Sequence, residues 1–240
     1  MMPTTPEIRV LSHHQTGLEL YYSYPENTQG RLPAVLIFSP WTGRTSFAET
    51  KAQSLAEKGY VGIAVDLYGE GRTGSSKEEC SRLMTPFIQD RQFLRDRMAA
   101  ILAHLQQDER INSSKIVAIG YCFGGLCVLD AVRNNLGLCA GVSIHGLYGR
   151  PDYQLPKTYT SKVLTLHGFK DPMISQAEVR LLQEELQNAA VDWQMITYGQ
   201  GYHAFTTPGA NDPDFGTVFD ACLDERTTLY VDAFLKEVLG

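Results

Sequence analysis

Short runs of β-branched and other apolar residues alternate along this chain with longer stretches whose apolar positions recur every three or four residues. The short runs at residues 8–11, 18–24, 34–39, 61–66, 116–120, 141–145, 163–167 and 193–198 predict strands. Helical spacing falls between them, at residues 47–58, 86–107, 124–134, 175–188 and 216–239. In the last of these, Val231, Phe234, Leu235 and Val238 continue a stripe that suits packing on a sheet.

Strands that are apolar almost throughout and alternate with helices define an α/β chain. Its mostly parallel central sheet is expected to carry helices on both faces. The first two runs flank the turn-prone His14-Gln15-Thr16-Gly17 and predict an antiparallel pair at one edge. No repeat, low-complexity tract or linker divides the sequence, so one domain over residues 1–240 is expected. Segment 68–79, rich in Gly, Ser and charge, reads as a loop beside a pocket.

Composition narrows the partners. No apolar run approaches the roughly 18 residues of a membrane span. The 27 acidic residues outnumber the 21 basic ones, and the net charge of −6 repels a phosphate backbone and an anionic surface alike. The five cysteines (Cys80, Cys122, Cys127, Cys139 and Cys222) are odd in number and lack close pairs, which points away from a disulfide framework and a zinc ribbon. No metal or other cofactor is expected. Residues 1–9 lack a basic start followed by an apolar run, so the cytoplasm is the expected compartment.

The chemistry lies in Ile116-Val117-Ala118-Ile119-Gly120-Tyr121-Cys122-Phe123-Gly124-Gly125. Strand, sharp turn and helix start make a nucleophile elbow, Gly-x-nucleophile-x-Gly, with Cys in the place where many α/β-hydrolases carry Ser. Small flanking residues leave room for the backbone to turn close to its neighbours. A thiol there sits at a helix N-terminus, where free amides favour a thiolate and a developing oxyanion. Downstream come Asp171, in His167-Gly168-Phe169-Lys170-Asp171-Pro172, and His203, in Gly201-Tyr202-His203-Ala204-Phe205. Each follows a predicted strand, in the order nucleophile, acid, base. His13, His14 and His104 read as surface residues. His167 is expected to bond backbone, and His145 to line the pocket.

With these residues the chain resembles the dienelactone hydrolase family, α/β-hydrolases that use a Cys-His-Asp triad. The resemblance covers most of the chain from residue 34 to the last helix. It rests on Gly120-Tyr121-Cys122-Phe123-Gly124-Gly125, Asp66-Leu67-Tyr68-Gly69, His167-Gly168-x-x-Asp171-Pro172 and Tyr202-His203-Ala204-Phe205. It implies an α/β-hydrolase fold and hydrolysis of small carboxylic esters or lactones. It also implies an oxyanion hole from the Trp41 and Phe123 amides, which agrees with one donor following the nucleophile and one coming from the loop after the 34–39 strand. Two positions depart from the family pattern. Pro40 stands three residues before Gly43 where dienelactone-cleaving members carry Glu, and Phe205-Thr206-Thr207-Pro208 lacks their substrate-holding Arg. Arg82 is a loosely aligned second anion anchor. The departures favour uncharged substrates.

The interval between His145 and Lys162 is too short for a cap domain. An open pocket walled by Tyr68, Tyr121, His145, Tyr148 and Phe205, together with Trp41 and Phe123, is therefore expected, sized for a small aromatic or short-chain ester. Activated phosphotriesters could use the same groups. A thioesterase or acyltransferase would employ the same three residues, and a thiol-based redox or ligand sensor would need Cys122 alone. Oligomeric state is not readable.

Overall fold

Residue alternation along each strand decides which helix layer a side chain meets. In the computed structural model, which describes residues 4–26 and 28–240, the strands are β1 (Thr4–His13), β2 (Thr16–Pro25), β3 (Leu32–Phe38), β4 (Val61–Val65), β5 (Ile111–Tyr121), β6 (Ala140–Ile144), β7 (Lys162–Gly168) and β8 (Trp193–Tyr198). They form one sheet in the order β1-β2-β4-β3-β5-β6-β7-β8. β1–β2 and β2–β4 pair antiparallel, and the remaining pairs are parallel. The expected edge hairpin is present. His14 and Gln15 both take positive φ, 48° and 62°, in the two-residue turn that suits the strand twist. Residues 1–3, part of the stretch inspected for a signal peptide, lie outside the described residues.

The helices are α1 (Ser46–Glu57), α2 (Lys77–Gln89), α3 (Arg91–Gln106), α4 (Phe123–Arg133), α5 (Gln176–Asn188) and α6 (Ala221–Leu239). On β3, Ala34, Leu36 and Phe38 pack toward α2, α3 and α4, while Val35 and Ile37 join the core shared with α1 and α6. α5 closes a third cluster with α4 and Val163 of β7. This is the α/β-hydrolase arrangement, and the segment joining β6 to β7 carries no cap domain among the described residues. No helix among these residues is long and apolar enough to cross a membrane.

Two helix expectations change. The stretch 86–107 is two helices, because Asp90 leaves helical geometry (φ −122°, ψ 87°) and its side chain caps α3 by accepting the Phe93 N–H at 2.8 Å. Pro86 lies inside α2 instead of opening a helix. The last helix begins at Ala221, capped by Asp220. Thr217–Val218 before it form β10, which pairs with β9 (Asn211–Asp212) in a small hairpin.

Candidate active site

The parallel strands end at one edge, and the loops leaving that edge carry the residues that the sequence singles out. Cys122 follows β5 directly and takes φ 55°, ψ −117°, a strained geometry for a non-glycine residue. Its glycine neighbours make the turn possible. A Cβ on Gly120 would lie 2.0 Å from the Gly124 carbonyl oxygen, and one on Gly124 would lie 2.1 Å from that of Phe38.

Asp171 and His203 are brought together by a second close approach. Gly168, at the end of β7, passes so near the loop after β8 that a Cβ there would sit 2.5 Å from the Gly201 oxygen. The Phe169 and Lys170 amides donate to the Tyr198 and Gly201 carbonyls across this junction. Asp171 Oδ2 is then 2.7 Å from His203 Nδ1, and Asp171 Oδ1 accepts the Met173 N–H at 2.8 Å. Both side chains are buried.

His203 Nε2 has no hydrogen-bond partner among the described residues, and His203 lines the same cavity as Cys122. Burial disfavours the imidazolium, but the Cys122 sulfur and Asp171 outweigh it and push the His203 pKa up to about 10.

Cys122 and His203 open onto a cavity of about 500 Å³. Pro40, Trp41, Phe47, Met84, Leu147, Met173 and Phe215 supply its apolar wall. No Asp, Glu, Lys or Arg is among the lining residues. Pro40 occupies the position where the family pattern has Glu, and Arg82 is exposed on α2, away from the lining. Arg44 is committed to Glu19 and Glu49.

Among the described residues, the Trp41 and Phe123 amides donate to no protein acceptor, so both are free to bind an oxyanion. Trp41 lines the cavity, as expected. The loop carrying it is pinned by a Gly43–Pro40 turn, by the Gly74 N–H donating to Thr42, and by the Tyr68 hydroxyl donating to the Trp41 carbonyl at 2.8 Å.

Most of the expected aromatic wall is a supporting layer instead. Tyr68 is buried behind the Trp41 loop, stacked on Phe123. Tyr121 continues the Val117–Ile119 face of β5 and turns to Phe47 and the α1/α6 layer. Tyr148 packs beside His167 in the α4–α5 cluster. Phe205 is fully buried against His145 and Tyr198. His145 itself is buried, accepting the Cys122 N–H at Nδ1 (3.2 Å) with Nε2 2.8 Å from Thr206 Oγ1. Burial, and then the nearby His203, hold its pKa well below the usual histidine value. His167 makes no backbone bond; neither ring nitrogen has a protein partner among the described residues. His13, His14 and His104 lie away from the cavity.

The sheet order and the strand–turn–helix elbow at Cys122 define an α/β-hydrolase fold, with the Asp171–His203 pair at the same strand ends. Residues 18–239 match the dienelactone hydrolase family, and the chain belongs to it. A "Putative carboxymethylenebutenolidase" of Yersinia pestis is 28% identical over 78% of this chain and 74% of its own. A "Probable 2-oxo-3-(5-oxofuran-2-ylidene)propanoate lactonase" of a Bradyrhizobium species is 26% identical over 73% and 74%. The crystal structure of a dienelactone hydrolase-like promiscuous phosphotriesterase from metagenomic libraries superposes with a TM-score of 0.91, at 27% identity and 99% coverage of both chains.

Proposed function

We propose that the protein hydrolyses small uncharged carboxylic esters or lactones through an acyl-thioenzyme on Cys122, acting as one catalytic domain. The Cys122 thiolate attacks the carbonyl carbon, and the Trp41 and Phe123 amides hold the oxyanion. The leaving alkoxide takes a proton from the His203 imidazolium as the C–O bond breaks. Water then attacks the thioester, gives its proton to His203 and releases the acid, returning sulfur as thiolate. Asp171 keeps the ring oriented and supports its positive charge.

The observation that carries this reading is the Asp171–His203 pair at 2.7 Å, with His203 and Cys122 lining one cavity whose lining includes no Asp, Glu, Lys or Arg. The lactonase relative and the family match support it. A cavity with no lining Lys or Arg to hold a carboxylate suits neutral substrates better than carboxylate-bearing ones. Phosphotriesters are a second substrate class, favoured by the phosphotriesterase neighbour, since a strained P=O centre presents the same electrophile and developing oxyanion. The free thiols suit a reducing compartment such as the cytoplasm.

Turnover of phenyl acetate, a small lactone and an aryl phosphotriester by purified protein tests the proposal. Cys122→Ala and His203→Ala are each expected to lower turnover by about a thousandfold or more with the fold intact. Undiminished ester turnover in the Cys122 variant contradicts it.

A further inference from the structure

We propose that Phe215 is a specificity-determining residue: with Trp41 it forms an aromatic clamp that selects substrates carrying a flat, uncharged ring. The proposal rests on the esterase reading above and concerns which esters that site prefers.

Phe215 lies in the bend of the β9–β10 hairpin and is 37% exposed. Its ring stacks on Trp41 with centroids 5.9 Å apart and planes 16° from parallel, and both residues line the cavity. The Lys77 ammonium stands 4.0 Å from the Phe215 centroid and also bonds Asp212 Oδ2 at 2.8 Å. Asp212 Oδ1 in turn accepts the Phe215 N–H at 3.0 Å. An ammonium and a backbone anchor thus hold the ring over the cavity mouth.

The same hairpin is fastened to the chemistry. The His203 N–H donates to the Gly216 carbonyl at 2.9 Å, and the Val218 N–H donates to the His203 carbonyl at 3.0 Å. Gly216 (φ 86°) lies so close to Pro172 that a Cβ would sit 2.1 Å from its Cγ, next to Asp171 in sequence. The ring therefore has a set position relative to the base, while Trp41 carries a free amide on the other side. Met84 and Met173 complete the wall with polarisable thioethers, which favour aromatic contacts. With no cap domain among the described residues, this hairpin supplies an enclosing surface of the kind a lid would give.

Because the ring touches the cavity and the backbone touches His203, removing the ring alone should act on binding. The test compares phenyl acetate with 2,2,2-trifluoroethyl acetate, which share an acyl group and differ in the ring. In Phe215→Ala, kcat/KM for the phenyl ester is expected to fall about tenfold relative to the trifluoroethyl ester, with the loss in KM. Phe215→Tyr should restore the ratio. An unchanged ratio, or an equal loss in kcat on both esters, overturns the clamp. A binding measurement separates this from failure of the esterase reading. Acetophenone should quench Trp41 saturably in a Cys122→Ala, Trp193→Phe protein, and adding Phe215→Ala should weaken that binding about tenfold. Binding that ignores Phe215 overturns the clamp whether or not the protein cleaves esters.

Discussion

The Cys122 amide is shared between the Ile144 carbonyl, at 3.1 Å, and His145 Nδ1, at 3.2 Å. An imidazole that accepts at Nδ1 carries its proton at Nε2, which donates to Thr206, three residues beyond His203. One neutral ring therefore ties the strained nucleophile turn to the loop of the base. His145→Phe keeps an aromatic ring, somewhat larger than imidazole, but loses both bonds. It is expected to lower stability by about 1–2 kcal/mol and aryl-ester kcat/KM by about tenfold, read by denaturant titration and steady-state kinetics. Unaltered kinetics would show that the elbow holds without this tie.

Backbone contact at the elbow leaves no room for a methyl group. Gly124→Ala is expected to destabilise the fold by about 3 kcal/mol or more, because the Phe38 carbonyl cannot retreat from the sheet. Gly149→Ala, where nothing lies within 4 Å of the added carbon, should stay within about 0.5 kcal/mol. Equal effects at both sites would refute the packing account of the turn.

Tyr68 acts through Trp41. Tyr68→Phe removes the hydroxyl that holds the Trp41 carbonyl while leaving the stack on Phe123. The expected cost is about 1 kcal/mol of stability, together with a fall in kcat of a few-fold as the oxyanion amide loosens. A change in KM alone would place Tyr68 in substrate contact instead.

Two histidines give opposite limbs to stability against pH. His203 is raised to about 10 from an unfolded value near 6.5, so its contribution is complete below pH 6.5 and is lost as pH rises toward 10. His145 is held well below 6.5, so its contribution is complete above that value and is lost as pH falls. His167, lowered mainly by burial, adds to the acid limb. Denaturation across pH should show Cys122→Ala flattening the alkaline limb and His145→Phe flattening the acid limb. An unchanged alkaline limb in Cys122→Ala would deny that Cys122 raises the His203 pKa.

The framework of the site is legible because it is local: Cys122 and Asp171 follow apolar runs that form buried strands, His203 follows the alternating edge strand β8, and glycines stand where loops approach. The pocket wall is not. Adjacency to Cys122 points to Tyr121 as a wall residue, although alternation with Val117 and Ile119 assigns it to the opposite layer. No sequence pattern marks Phe215, because β9 and β10 have two residues each, too short for any period, and their hairpin is seated by contacts to His203 and Pro172. Met84, Leu147 and Met173 reach the cavity from three separate segments, a convergence created only by tertiary packing.

Acid-quenched mass spectrometry during phenyl acetate turnover tests the central claim most directly. The account predicts an acetyl group on the Cys122 peptide that accumulates and then decays with substrate. Turnover with Cys122 unmodified, or with the acyl group on another residue, would contradict it.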